Sequence, residues 1–136
     1  MKPYVTVALL VLVLAGACKE EEVPLQPTSL SLQVVFLNTE MPVDSAFVTV
    51  LGTKGGYLAG SREIAYYAQG YTNSKGLFKA SMMVPRDYSL TFTTGKLVKV
   101  GNQYKLYDMS VILPDNTHFL NREQENNVVV KLDTLK

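Results

Sequence analysis

Residues 72–92, TNSKGLFKASMMVPRDYSLTF, read as turn, strand, turn, strand. Asn73-Ser-Lys-Gly76 is a tight-turn signal, and Gly76 can take the positive φ that such a turn demands. Leu77 to Val84 follows as a strand, with Phe78 placed to point inward. Pro85-Arg86-Asp87 turns the chain, since proline ends a ladder by lacking an N–H. Tyr88 restarts it, and the alternation through Thr94 sets Leu90 and Phe92 on one face.

Outward from this segment the period stays at two. Downstream, Leu97 to Val100 and Gln103 to Leu113 flank Gly101-Asn102, a two-residue loop suited to a primed hairpin turn. In the second arm Tyr107, Met109, Val111 and Leu113 share one face, opposite Asp108 and Ser110. Pro114 to Asn127 reads as a polar loop, and Val128 to Leu132 as a last strand. Upstream, Ile64 to Thr72 and Ala46 to Leu51 are strands, broken apart by glycines between Gly52 and Gly60. Glu40 to Ser45 is a loop, and Leu30 to Leu37 alternates as the first strand. Seven or eight short strands, a turn roughly every eight to twelve residues and no amphipathic helix are the signature of an all-β antiparallel sandwich or small barrel, and the sandwich is the expectation.

The ends of the chain carry a different signal. Lys2 precedes an apolar run, Val5 to Leu14, of ten residues. As a helix it would rise about 15 Å, half a ~30 Å hydrocarbon core, so the run suits a signal peptide better than a membrane span. Leu14-Ala15-Gly16-Ala17-Cys18 resembles the bacterial lipobox, with Ala15 where a larger aliphatic residue is usual. The resemblance implies a signal peptide over 1–17 and a lipidated Cys18 opening the mature chain. Cys18 is the sole cysteine, so the mature protein has no internal disulfide and must rely on its core. Diacylglycerol with an N-acyl chain anchors firmly where one chain does not.

Lys19-Glu20-Glu21-Glu22 reads as a solvated spacer, and it also resembles the surface-export signal of Bacteroidota lipoproteins. That resemblance implies an outer-membrane protein facing the cell exterior. Val23 to Thr28 holds two prolines in four residues, an extended tether. The expected layout is therefore a signal peptide at 1–17, anchor and tether at 18–29, and one sandwich domain over 30–136. Removing Lys2 leaves 12 basic against 12 acidic residues, with no basic patch, which argues against a nucleic-acid partner.

Three pieces resemble the carboxypeptidase-regulatory-like, or transthyretin-like, β-sandwich, an Ig-like two-sheet fold. They are Ala46-Phe-Val48-Thr-Val50, Thr72-Asn-Ser-Lys-Gly76-Leu-Phe78 and Val84-Pro85-Arg-Asp-Tyr88-Ser-Leu90-Thr-Phe92. The match runs from Leu32 to Phe92, about half of the mature chain. It departs before Ala46, where Met41-Pro-Val-Asp44 replaces a glycine-bearing turn, and in the long insertion Gly52–Ser61. The resemblance implies a fold and no chemistry, because this sandwich serves many roles.

Catalytic residues are not evident. His118 is the one histidine, too few for an imidazole metal site, and the chain ends Leu132-Asp-Thr-Leu-Lys136 without the Tyr-Arg-Gly-Ser close of the fold's purine-pathway hydrolase. Glu40, Asp44, Asp87, Asp108, Asp115, Glu123 and Glu125 are scattered, without the spacing of a glycosidase pair or an EF-hand. A calcium site from Asp115, Asn116 and Glu123 lacks any motif. No catalytic residue, metal or cofactor is expected, and the chain reads as a non-enzyme. Tyr57, Tyr66, Tyr67 and Tyr71 crowd around the insertion as a possible binding surface. The expected role is an accessory subunit that binds a protein partner in an outer-membrane assembly such as a nutrient importer. The alternative is a glycan- or ligand-binding module, and structural use of the tyrosines as strand formers stands beside both.

Overall fold

The computed structural model describes residues 21–55, 63–113 and 118–134. The leader, Cys18, Lys19, Glu20 and Tyr57 lie outside them, as do Asp115 and Asn116. Among the described residues every regular element is a strand: β1 Thr28–Phe36, β2 Phe47–Lys54, β3 Glu63–Tyr71, β4 Leu77–Met82, β5 Ser89–Val100, β6 Gln103–Leu113, β7 Phe119–Leu120 and β8 Glu125–Thr134. The all-β expectation holds, and the strands fall close to where alternation and turn residues put them.

Their arrangement differs from expectation. The strands form one sheet in the order β3-β2-β5-β6-β8-β1-β4, with β7 beside β5, in place of two separately bonded sheets. Its end strands β3 and β4 approach each other, so the sheet rolls almost into a barrel. The sheet is also mixed: β1 and β8 run parallel from Ser29↔Glu125 to Phe36↔Leu132, while the other six pairings are antiparallel. Parallel neighbours need a long crossover, and here everything between β1 and β8 supplies it.

Long strands that change partners join the sheet. β5 runs unbroken through Gly95, pairing with β2 up to that residue and with β6 from it onward. Beyond Gly95, β5 and β6 leave their other neighbours and project as a ribbon to Gly101, whose φ of 63° fits a turn with glycine first.

One core fills the rolled sheet. Leu32, Val34, Val43, Val50, Val84, Phe92 and Val130 have no accessible surface, with Leu30, Val48, Leu90 and Leu132 nearly as buried. All three quoted motif pieces feed it. Ala46, Val48 and Val50 point inward from the β2 side, Phe92 is the largest fully buried side chain, and Phe78 packs at the margin over Gly70. Thr72 is buried and binds Val43 and Ala46.

Three local corrections follow from the register. β6 bulges between Met109 and Val111, which flips the alternation. Ile112 therefore joins Tyr107 and Met109 against the core, and Val111 does not. β7 sits inside the expected polar loop, pairing Leu90↔Leu120 and Thr91↔Phe119. β1 opens at Thr28, two residues early, because Thr28 is wholly buried and its Oγ1 accepts the Glu123 N–H at 2.8 Å.

Candidate interaction face

The strand directions give the domain two poles. Thr28 of β1, the β4–β5 turn, Lys54, Glu63 and the residues before β8 gather at one; the β1–β2 loop, Thr72–Gly76 and the β5–β6 ribbon gather at the other. Between the poles the outer face of β3-β2-β5 is exposed, and the tyrosines fall on it unequally.

β3 carries a bulge where β2 steps from Val50 to Leu51: Val50 faces Ala68 and Leu51 faces Tyr66, leaving Tyr67 over as the extra residue. Two consecutive residues can then keep facing inward. Tyr67 turns to the core, its ring edge-on to Tyr88 at 6.0 Å, with Ala68 beside it against the same core. Tyr66 and Tyr71, on opposite sides of the bulge, both face solvent at 68% and 72% exposure. Tyr57 lies outside the described residues.

The face extends beyond these tyrosines. Tyr71 is registered with Phe47, and Phe47 with Gly95; the Phe47 ring lies over that glycine, where a Cβ would come within 3.0 Å of it. Tyr66, Leu51, Thr91 and Phe119 form a second row across the sheet, with Phe119 60% exposed and stacked on His118 at 5.1 Å. The two rows are four residues apart on β2, about 13 Å at strand rise. Gln69, Thr49 and Thr93 lie between them. Phe47 and Phe119 escape sequence reading because their neighbours announce something else: a valine-rich strand for one, a polar loop for the other. The x positions of Ala46-x-Val48-x-Val50 were the available signal for Phe47.

Among the described residues no three His, Cys, Asp or Glu side chains gather where they could hold a metal ion. His118 is exposed. Glu123 is committed to Arg86, which holds its carboxyl down at about 2 together with a hydrogen bond from the Gln26 N–H. Glu40 pairs with Lys131 at 2.7 Å, and Asp87 with Lys54 at 2.7 Å. Tyr88 donates to Glu63 at 2.7 Å; that bond, then burial, pushes its hydroxyl up to about 12. Glu21 and Glu22 of the expected export signal are exposed. No helix among the described residues is long and apolar enough to cross a membrane.

No family model matches this chain, and no curated protein matches it. Among solved structures it is similar to the crystal structure of a 9R-lipoxygenase from Cyanothece PCC8801, at 15% identity and a TM-score of 0.40. That likeness covers 90% of this chain and 20% of the other, and at this level it carries no argument about fold or activity.

Proposed function

We propose that this chain is a lipid-anchored, non-enzymatic protein-interaction module of the outer membrane, facing the cell exterior and serving as an accessory subunit of an assembly such as a nutrient importer. One observation carries the binding part: the aromatic side chains of two rows, Tyr71 with Phe47 and Tyr66 with Phe119 across half-buried Leu51 and Thr91, stand exposed on one sheet face. Aromatic side chains are enriched in interface cores, and they supply large contact area at low entropic cost. A sheet's broad outer face fits a protein partner better than a sugar, which needs rings spaced along a groove.

The anchor part rests on Leu14–Cys18 and Lys19–Glu22, which resemble a lipobox and an export signal. The finer fold reading, a two-layer transthyretin-like sandwich, is supported by the motif residues at Ala46, Val48, Val50, Leu90 and Phe92, all buried. The partner change along β5 fits it too, since β3-β2-β5-β7 and β4-β1-β8-β6 make natural layers.

The test is a pull-down of the lipidated protein from solubilised membranes, with a Tyr66→Ala/Tyr71→Ala variant alongside. A partner that the wild type retains and the variant loses supports the reading. A lone monomer in the wild-type eluate sinks it. Protease shaving of intact cells tests the location, where full protection counts against the outer surface. Loss of lipid labelling in Cys18→Ser tests the anchor.

A further inference from the structure

The N-terminal segment does not leave the domain where β1 begins. Arg86, in the β4–β5 turn, makes a two-pronged ion pair with Glu123: Nε donates to Oε2 at 3.0 Å and Nη2 to Oε1 at 2.8 Å. The same guanidinium donates from Nη1 to the Val23 carbonyl at 2.9 Å and from Nη2 to the Pro24 carbonyl at 3.2 Å. Glu123 Oε1 in turn accepts the Gln26 N–H at 2.9 Å. A planar guanidinium is suited to hold a carboxylate and two carbonyls at once. Residues 23–26 are thereby strapped across the pole by three bonds from a pair that is itself held at two points. Prolines at 24 and 27 stiffen that strap.

We propose that the Arg86–Glu123 clasp keeps the pole of the domain within about 17 Å of the membrane surface by shortening its tether, so that the β5–β6 ribbon points away from the bilayer. The membrane half rests on the lipid anchor proposed above; the clasp half does not. A free tether over residues 18–27 could extend about 35 Å, whereas one that ends at Glu22 extends about 17 Å at most. The difference is about half the length of a twelve-residue strand such as β5. With the pole held so close, Tyr66, Tyr71 and Phe47 face sideways along the membrane plane, where an integral partner would stand.

Hydrogen exchange on the full chain tests the clasp. The Gln26 amide is expected to exchange at least about tenfold more slowly than in an unstructured peptide. Arg86→Ala with Glu123→Ala is expected to return it to the free rate, while peptides from β2 and β5 keep their protection. If the paired change disturbs those peptides, Arg86→Gln alone, which leaves the Glu123 backbone untouched, is expected to speed Gln26 exchange severalfold. Free-rate exchange in the wild type, or unchanged exchange in these variants, overturns the clasp. Neutron reflectometry of the lipidated protein on a phosphatidylethanolamine–phosphatidylglycerol bilayer tests the tether-shortening. The wild type is expected to lie within about 17 Å of the headgroups, and the paired variant to reach further off, up to about 35 Å. A hydrated gap wider than about 17 Å under the wild type, or the same gap under both proteins, overturns the tether-shortening. A protein that does not load on the bilayer at all overturns the lipid anchor, leaving the exchange result standing.

Discussion

Thr72 and Ala46 are bonded twice: the Thr72 N–H donates to the Ala46 carbonyl at 2.9 Å, and the Ala46 N–H donates to Thr72 Oγ1 at 2.9 Å. The same hydroxyl donates onward to the Val43 carbonyl at 2.5 Å. All three residues are buried, so this one side chain satisfies backbone groups that water cannot reach. It ties the end of β3 to the entry of β2, and so sets the level at which the motif strand Ala46–Val50 begins.

Thr72→Val keeps the shape and removes the hydroxyl, orphaning the Ala46 N–H and the Val43 carbonyl. Each buried group left unpaired costs about 1–3 kcal/mol, so a loss of about 2–6 kcal/mol is expected for the two. Thr72→Ser keeps both bonds and should cost about 1 kcal/mol, the worth of one buried methyl. Urea unfolding midpoints at constant m-value check the pair; equal losses would mean that packing, and not the hydroxyl, is what matters.

Gly76 and Gly101 both have positive φ, 70° and 63°, but their surroundings differ. A Cβ on Gly76 would collide with the Val34 carbonyl oxygen, while one on Gly101 would meet nothing within 4 Å. Gly101→Ala should therefore cost only the left-handed penalty, about 1–2 kcal/mol. Gly76→Ala should exceed it, because the Val34 carbonyl is backbone and the Val34 N–H is itself bonded to Gly76 at 2.8 Å. Thermal unfolding of the two single variants compares them directly; an equal loss would refute the steric part.

The strands and the core were legible in the chain because period two and turn residues are local signals. The pairing was not. Whether β1 lies beside β8 in parallel is decided by which buried faces fit together, and no window of residues carries that. The two bulges were hidden for a related reason. Tyr66-Tyr67 and Met109-Ser110-Val111 alternate or double acceptably either way, and only the partner strand's register decides which residue is extra. The tyrosine cluster was therefore visible as a cluster, while its division into Tyr67 against the core and Tyr66 and Tyr71 in solvent was not. Arg86 and Glu123 were the least legible, being 37 residues apart and individually ordinary.

Glu123, held down at about 2, has an unfolded value near 4.3. A carboxyl depressed in the folded state contributes stability that is present in full above its unfolded value and is lost as pH falls through the folded one. The clasp's contribution should thus vanish between about pH 4.5 and pH 2. Arg86→Gln, which removes the first cause of the depression, should flatten the acid limb of stability against pH in that window. Denaturation midpoints from pH 6 to pH 2 measure it, and parallel limbs in the two proteins would show that Glu123 is not coupled to folding.

Tyr88 behaves oppositely in sign. Its hydroxyl, raised to about 12 by the bond to Glu63, favours the folded state fully below the unfolded value near 10. That contribution is lost as pH rises through 12. Tyrosinate absorbance of the native protein should contain a late step that Tyr88→Phe removes, and Glu63→Gln should move the step to lower pH. A titration unchanged by Tyr88→Phe would place the late step on another residue.

Tyr66 and Tyr67 are neighbours in sequence with opposite expected roles. Tyr67 packs among core residues with its ring against Tyr88, so Tyr67→Ala should cost about 3 kcal/mol, the range for removing a packed aromatic side chain. Tyr66 and Tyr71 are solvent-facing, and their replacement by Ala should change stability by about 0.5 kcal/mol or less each. If the exposed face binds a protein, those two neutral changes are the ones that should weaken it, each by at least about 1 kcal/mol or roughly fivefold in Kd at an interface anchor. The informative measurement sets unfolding midpoints beside partner retention for the same three variants. Retention that tracks stability would mean the face is incidental. Retention lost in stable Tyr66→Ala and Tyr71→Ala proteins would assign recognition to the rows that the β3 bulge turns outward.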